Sequence, residues 1–194
     1  MIELRELGSG DEESLLRIYS VESTEYLGRA PMDADEACSR VRDVMAAAAQ
    51  SPRTLYVLGL VVAGDLLGIV KLHRDRPAAA VSYILRADSW GRGYATEGVR
   101  NILALAFGRL ELPEVRAKHR PDNPASGRVL RKAGFAPIGE RNGFITYAIR
   151  PPRTPRAPSG RRAPTPKRTS RHYSLPERNL QDRAEPVHPS ANNA

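Results

Sequence analysis

The sequence predicts an α/β (α+β) fold: a mixed, mostly antiparallel central sheet flanked by helices. Three observations carry the prediction. β-rich runs follow one another through hairpin-like turns, as in Leu55–Val62, Ala63-Gly64-Asp65 and Leu66–His73. Runs with apolar residues at i, i+3 and i+4 stand between other strands rather than in one block. The resulting order, β, α, α, β, β, β, α, β, α, β, β, suits one sheet with helices on its faces.

Each element has its own signal. Ile2–Leu7 alternates apolar and charged residues, as a half-buried strand does. Ser9 and Glu12 have the spacing of a capping box, and Leu15, Leu16, Ile18 and Tyr19 make a short helical face. Asp33 and Glu36 repeat the spacing before Ala37, Val41, Val44, Met45 and Ala48, with Pro52 expected to close that helix. Val81–Leu85 reads as a fourth strand. Val99, Ile102, Leu103, Ala106, Phe107 and Leu110 line one face of a helix expected to start near Ala95. Val115–His119 reads as a strand. Pro124–Ala133 reads as a helix stopped by Gly134, and Ile138 and Phe144–Ile149 mark the last two strands.

Composition narrows the function classes. Of 194 residues, 41% are hydrophobic and 27% charged, the mix of a globular domain. No apolar run approaches the roughly 20 residues that span a bilayer, so no membrane partner is expected. The start, MIELRELGSGDEES, has no basic segment followed by an apolar one, so a cytoplasmic location is expected. The single cysteine, Cys38, excludes an internal disulfide, and no metal-ligand spacing occurs.

The net charge of +8 is unevenly placed. Residues 1–150 carry 21 Lys and Arg against 19 Asp and Glu, whereas residues 151–194 carry 9 against 3. Nine of the 16 prolines also follow residue 150. A stretch such as PPRTPRAPSGRRAPTPKRTSR buries too little to offset the entropy of ordering. We therefore expect a folded domain over 1–150 and a disordered, basic, Pro/Arg-rich tail over 151–194. The tail offers phosphate contacts to RNA or another polyanion, or no partner at all; apart from Tyr173 it lacks stacking groups for base recognition.

The stretch WGRGYATEG, Trp90–Gly98, carries the chemistry. Gly91 and Gly93 free the backbone to turn tightly or to approach a ligand. The first amides of the helix that follows have no intrahelical acceptor, and with the helix dipole they form an anion site to which Arg92 adds charge. A Walker A loop is excluded because its lysine is missing. A dinucleotide fingerprint is excluded because position 96 is threonine. The plain alternative is a loop with two turn glycines and no ligand.

WGRGYATEGVRNILALAFGRL together with DNPASGRVLRKAGF resembles two signature regions of the GCN5-related N-acetyltransferase (GNAT) superfamily, most closely its Rim-type branch, over roughly Ile2 to Arg150. Trp90 stands where that family usually has Gln or Arg. The resemblance implies the GNAT acyl-CoA N-acyltransferase fold and transfer of acetyl from acetyl-CoA to a primary amine, either a protein N-terminus or a small-molecule amine. It implies that Gly91, Arg92, Gly93, Tyr94, Ala95 and Thr96 hold the pyrophosphate. It also implies that the strand ending at Ile84 and Leu85 pairs with pantetheine, supplies an oxyanion amide, and parts from its neighbour to open a cleft. Asn123 is a candidate for pantetheine or the acceptor amine, beside its reading as an N-cap before Pro124. Ser126 is a candidate donor to the leaving thiolate, beside its reading as a first-turn serine. The tyrosine many members carry on this helix is Leu130 here. No carboxylate lies on the strand before the loop, so Glu140, Glu25, Tyr26 and a water chain remain open as the base.

Other residues have plainer readings. Glu97 favours the dipole of its helix, and His73 and His119 read as surface residues at strand ends. Arg128, Arg131 and Lys132 read as a solvated face within reach of a ribose phosphate, and Trp90 reads equally as cleft mouth or core. The acids Glu22, Glu25, Asp33, Asp35 and Glu36 gather near the expected acceptor loop, which points to a cationic amine. A monomer or homodimer is expected. A catalytically silent acyl-CoA sensor and an RNA- or ribosome-associated module are the alternatives to an enzyme.

Overall fold

Seven strands form one sheet in the order β1-β2-β3-β4-β5-β7-β6 in the computed structural model of the chain. The structure describes residues 2–74 and 78–152. The expected basic tail, beyond its first two residues, lies outside them. The strands are β1 (Glu3–Glu6), β2 (Leu55–Val62), β3 (Asp65–His73), β4 (Ala79–Leu85), β5 (Val115–His119), β6 (Ala136–Arg141) and β7 (Phe144–Ile149). The helices are α1 (Glu12–Ile18), α2 (Val21–Thr24), α3 (Ala34–Ala48), α4 (Tyr94–Ala104) and α5 (Pro124–Lys132). All recorded strand pairs are antiparallel except β4 with β5. The mixed, mostly antiparallel sheet expected from the sequence is therefore the one formed.

Helices cover both faces, which is why β2 and β3 read as nearly continuous apolar runs rather than alternating ones. On one face, Leu58, Leu60, Val70, Leu72, Val81 and Leu85 pack against Val99, Ile102 and Leu103 of α4 and Leu130 of α5. On the other, Val57, Val61, Ile69 and Ile84 pack against Leu15 and Ile18 of α1 and Ala37, Val41 and Val44 of α3. Gly98 lets α4 lie close to β2: a methyl group there would sit 2.1 Å from a Leu60 methyl.

Two local expectations are corrected, and one element had no sequence signal. Ser9 does not cap α1. Asp11 occupies the N-cap, and its carboxylate is taken by Arg5 at 2.7 Å to each oxygen and by the Gly8 amide at 2.9 Å. A bidentate guanidinium outcompetes a serine hydroxyl for the geometry of this turn. Pro52 does not end α3, which stops at Ala48. The four-residue helix α2, capped by Ser20, was not anticipated, because one turn shows no periodicity. Asp33 caps α3 as expected, accepting from the Glu36 amide at 2.8 Å.

The Asp11 turn has a pH signature. Hydrogen bonds from Arg5 hold its carboxyl below the usual carboxylate range, against the opposing effect of burial. The folded state binds that proton less well than the unfolded chain does. Its stabilisation is thus fully present above about pH 4 and is lost as pH falls through the lower folded value. Asp11→Asn is expected to destabilise the domain by about 1–2 kcal/mol at pH 7. Urea titrations should show the deficit shrinking as pH falls below the ordinary carboxylate value of about 4.

Candidate functional site at the end of β4

β4 and β5 run side by side only at their starts. Ala79 faces Val115 and Ala80 faces Arg116, and no further pairing joins the two strands among the described residues. The Arg86 amide donates to the Leu67 carbonyl at 2.8 Å, on the β3 side. Backbone groups alternate along a strand, so Ile84 shares the ladder with Ile69, its register partner. The polar groups of Val81, Tyr83 and Leu85 point the other way, toward the gap beside β5. Sequence reasoning paired Ile84 with Leu85 as ligand-facing backbone; alternation leaves Leu85 and Tyr83 in that position and commits Ile84 to β3.

The glycine turn follows directly. Gly91 has φ 78° and Gly93, the N-cap of α4, has φ 83°. Both lie in the left-handed region that side chains resist. No side chain caps α4, so its first amides are left for another acceptor. A methyl group built on either glycine would meet no protein atom within 4 Å. These positions are glycine for their backbone angle and the open space before them, not for packing. That open space in front of free amides fits a phosphate group. Arg92 is exposed beside it and Thr96 is buried. An open cavity of about 350 Å³ adjoins the turn, lined by Asp65, Arg86, Asp88, Ser89, Arg92 and Tyr94 among others. Arg86 braces this wall through Asp65 (2.8 Å) and Asp88 (2.6 Å).

Trp90 is half exposed, at 50%, yet it is anchored: its indole Nε1 donates to the Leu85 carbonyl at 3.1 Å. It therefore closes the gap-facing acceptor at the end of β4.

The start of α5 completes the group. Asn123 caps the helix, its Oδ1 accepting from the Ser126 amide at 3.0 Å. The side-chain amide nitrogen is thereby turned away from the helix end. Ser126 Oγ lies 2.8 Å from the Tyr83 hydroxyl, which ties α5 to β4 across the gap. Leu130 is 1% exposed and belongs to the core. Sequence reasoning missed Tyr83: inside AVSYILR it carries no motif, and only the packing of α5 reveals it.

His119 is corrected from a surface residue to a buried one, 7% exposed. Its Nδ1 lies 2.7 Å from the Arg120 carbonyl, which can only accept, so Nδ1 carries the proton. Nε2 then accepts from the Tyr147 hydroxyl at 3.2 Å, and Tyr147 accepts from Arg131 at 3.1 Å. Gly127 is the contact surface for this ring; a methyl there would sit 2.6 Å from Nε2.

The remaining candidates lie elsewhere. Glu140 is exposed on the outer strand β6, opposite Ile145, which faces His119 on β5. The strand order sets it three strands from β4, about 14 Å of sheet. Glu25 and Tyr26 sit in a 3₁₀ turn after α2. The acidic cluster is largely occupied: Glu36 pairs with Arg29 and Arg40, Asp33 caps α3, and Glu22 accepts from Ser20. Glu97 accepts from the Ile2 amide at 2.7 Å and so fastens the chain's start to α4. Arg128 and Lys132 are exposed, as expected. Among the described residues, no cluster of His, Cys, Asp and Glu is placed to hold a metal ion, and no helix is long and apolar enough to cross a membrane.

Comparison with known proteins bears on this arrangement. The family model described as an acetyltransferase (GNAT) domain matches residues 2–136. The uncharacterized N-acetyltransferase YoaA of Bacillus subtilis is 27% identical over 141 residues, covering 70% of this chain and 80% of that one. Mycobacterium smegmatis RimJ, solved with CoA-disulfide, has the same fold at a TM-score of 0.66 and 20% identity, covering 77% of this chain and 81% of its own. The spermidine N-acetyltransferase of Vibrio cholerae, solved with CoA and spermine, matches at a TM-score of 0.64 and 18% identity, covering 77% and 95%.

Proposed function

This chain belongs to the GNAT acetyltransferase family, and on that premise we propose that it transfers acetyl from acetyl-CoA to a primary amine by direct attack, at the gap where β4 leaves β5. The observation that carries the proposal is the junction itself. Unpaired backbone groups of β4 run straight into a helix whose N-terminus is uncapped and faces open space.

Acetyl-CoA, as co-substrate, supplies an activated acyl group in a thioester and a diphosphate by which it is held. The residues present suit both parts. Amides from Gly93 to Thr96, with Arg92 beside them, provide donors and positive potential for the diphosphate. The gap-facing edge of β4 offers the Leu85 amide as a donor where negative charge develops during acyl transfer. The Ser126 hydroxyl, on the far wall of the gap, donates to the departing sulfur. Asn123 keeps its helix cap with Oδ1 and has Nδ2 to offer the pantetheine or the incoming amine.

We assign no side chain as the base. Glu140 is set too far across the sheet, and the amine's proton leaves through water. The acceptor is a primary amine on a protein N-terminus or a small molecule. Among the structural neighbours, the spermidine N-acetyltransferase of Vibrio cholerae, solved with CoA and spermine, marks the small-molecule class. The acids near α2 add little to the case for a polycation, because Glu36 is held by Arg29 and Arg40, Asp33 caps α3 and Glu22 accepts from the Ser20 hydroxyl.

Spermidine, an aminoglycoside and peptides with free alanine or serine N-termini should be incubated with acetyl-CoA and the full chain. Thiol release and mass spectrometry are then read together. Acetylated product matching the released CoA from at least one class is the expected result. Tight CoA binding with no transfer to any class would overturn the reading in favour of an acyl-CoA sensor.

A further inference from the structure

Tyr83 reaches from β4 to the first turn of α5 and meets Ser126 twice. Its Oη lies 2.8 Å from Ser126 Oγ and 3.0 Å from the Ser126 carbonyl oxygen. We infer that Tyr83 is a positioning residue that sets which way the Ser126 hydroxyl proton points, and so whether Ser126 can stabilise a thiolate in the gap. The inference rests on the reading of Ser126 given above.

Counting protons shows why. The carbonyl can only accept, whereas each hydroxyl can donate once and also accept. In one arrangement the phenol donates to the carbonyl and the serine donates to the phenol. Every short contact is then satisfied, and the serine proton is turned away from the gap. In the other, the phenol donates to Ser126 Oγ and the serine proton is free to point at a third atom. The carbonyl keeps its place in the helix ladder of α5 in either case. An anion arriving beside Ser126 selects the second arrangement, because a hydrogen bond to a charged acceptor is roughly twice as strong as a neutral one. Two hydroxyl rotations accomplish the change, with no heavy atom moved.

Tyr83 is suited to this because it stays protonated. Burial pushes its pKa up to about 12, against the lowering effect of the Ser126 contact. It remains a donor across the whole working pH range. No proton leaves Tyr83 or Ser126: the thiolate is stabilised by the serine hydrogen bond and takes its proton from water. A phenylalanine would fill the same space between β4 and α5 but could orient nothing.

The test needs no acceptor amine. Binding of coenzyme A and of desulfo-coenzyme A to the full chain is measured by calorimetry at pH 6.5 and 9.5, on either side of an ordinary thiol pKa of about 8.5. Taken relative to desulfo-coenzyme A, wild-type affinity for coenzyme A should rise at least about fivefold at the higher pH. Ser126→Ala and Tyr83→Phe should each reduce that rise to below about twofold, Ser126→Thr should keep it, and desulfo-coenzyme A should bind all of them alike. If Tyr83→Phe does not fold, Tyr83→Leu takes its place. If Tyr83→Phe keeps the wild-type rise while Ser126→Ala loses it, Tyr83 only packs, and the inference is overturned while the Ser126 reading stands. If wild type shows no rise, Ser126 does not face the sulfur, and both fall.

Discussion

Gly93→Asp abolishes acetyl-CoA binding in the expected result, and with it the ligand's effect on melting temperature. A ligand at 100 times its Kd stabilises the folded state by about 2.7 kcal/mol, or roughly 5–10 °C for a domain of this size. Gly93 is the N-cap of α4 at φ 83°, with no protein atom within 4 Å of the place a side chain would occupy. An aspartate there puts a carboxylate in the space proposed for the diphosphate and caps the amides that would hold it. Loss of at least about 100-fold in affinity is expected from charge and blockage together. Gly93→Asn separates the causes. Asparagine tolerates the left-handed region and carries no charge, so it should weaken binding less than aspartate does. A wild-type melting shift in Gly93→Asp would place the diphosphate elsewhere and remove the site proposed here.

The second large effect is on stability. Gly127→Ala adds one methyl group, which must sit 2.6 Å from Nε2 of the buried His119 ring. An imidazole cannot yield as the tip of a leucine can. Its Nδ1 is fixed by the Arg120 carbonyl, and its Nε2 receives the Tyr147 hydroxyl. Overpacking of this kind costs about 1–3 kcal/mol. Losing the Tyr147 hydrogen bond belongs to the same cost, so a fall of roughly 2–12 °C in Tm is expected. Gly127→Ala combined with His119→Ala should be much less damaging than the sum of the two, since the contact that drives the loss is gone. Strict additivity would show that His119 is not the obstacle. Because α5 also carries Asn123 and Ser126, activity should fall along with stability.

Much of this was legible in the sequence, for physical reasons. Leu55–Val62 and Leu66–His73 are long, rich in β-formers and split by a turn with positive φ at Ala63 and Gly64. Gly134, at φ 102°, ends α5 where a glycine after a helical face should. The glycine turn and the Asn123 cap are local features, and local features survive folding. Contacts made across the sheet were not legible. Nothing in AVSYILR shows that Tyr83 will meet a serine 43 residues later. Nothing near His119 shows that a glycine on the next helix will bury it. The Ser9–Glu12 spacing misled because Arg5, on the preceding strand, decides the turn by gripping Asp11. The Ile84 error was one of parity: a strand's sequence shows which side chains share a face but not which edge its amides serve.

The short seam between β4 and β5 also divides how the molecule can come apart. Four strands stand on one side and three on the other, joined laterally by the contacts at Ala79 and Ala80. Each half zips its own ladder, so the amides of Val81, Tyr83 and Leu85 should exchange with deuterium quickly for residues so central. A guest lying along them would act as an eighth strand and weld two semi-independent sheets into one cooperative unit.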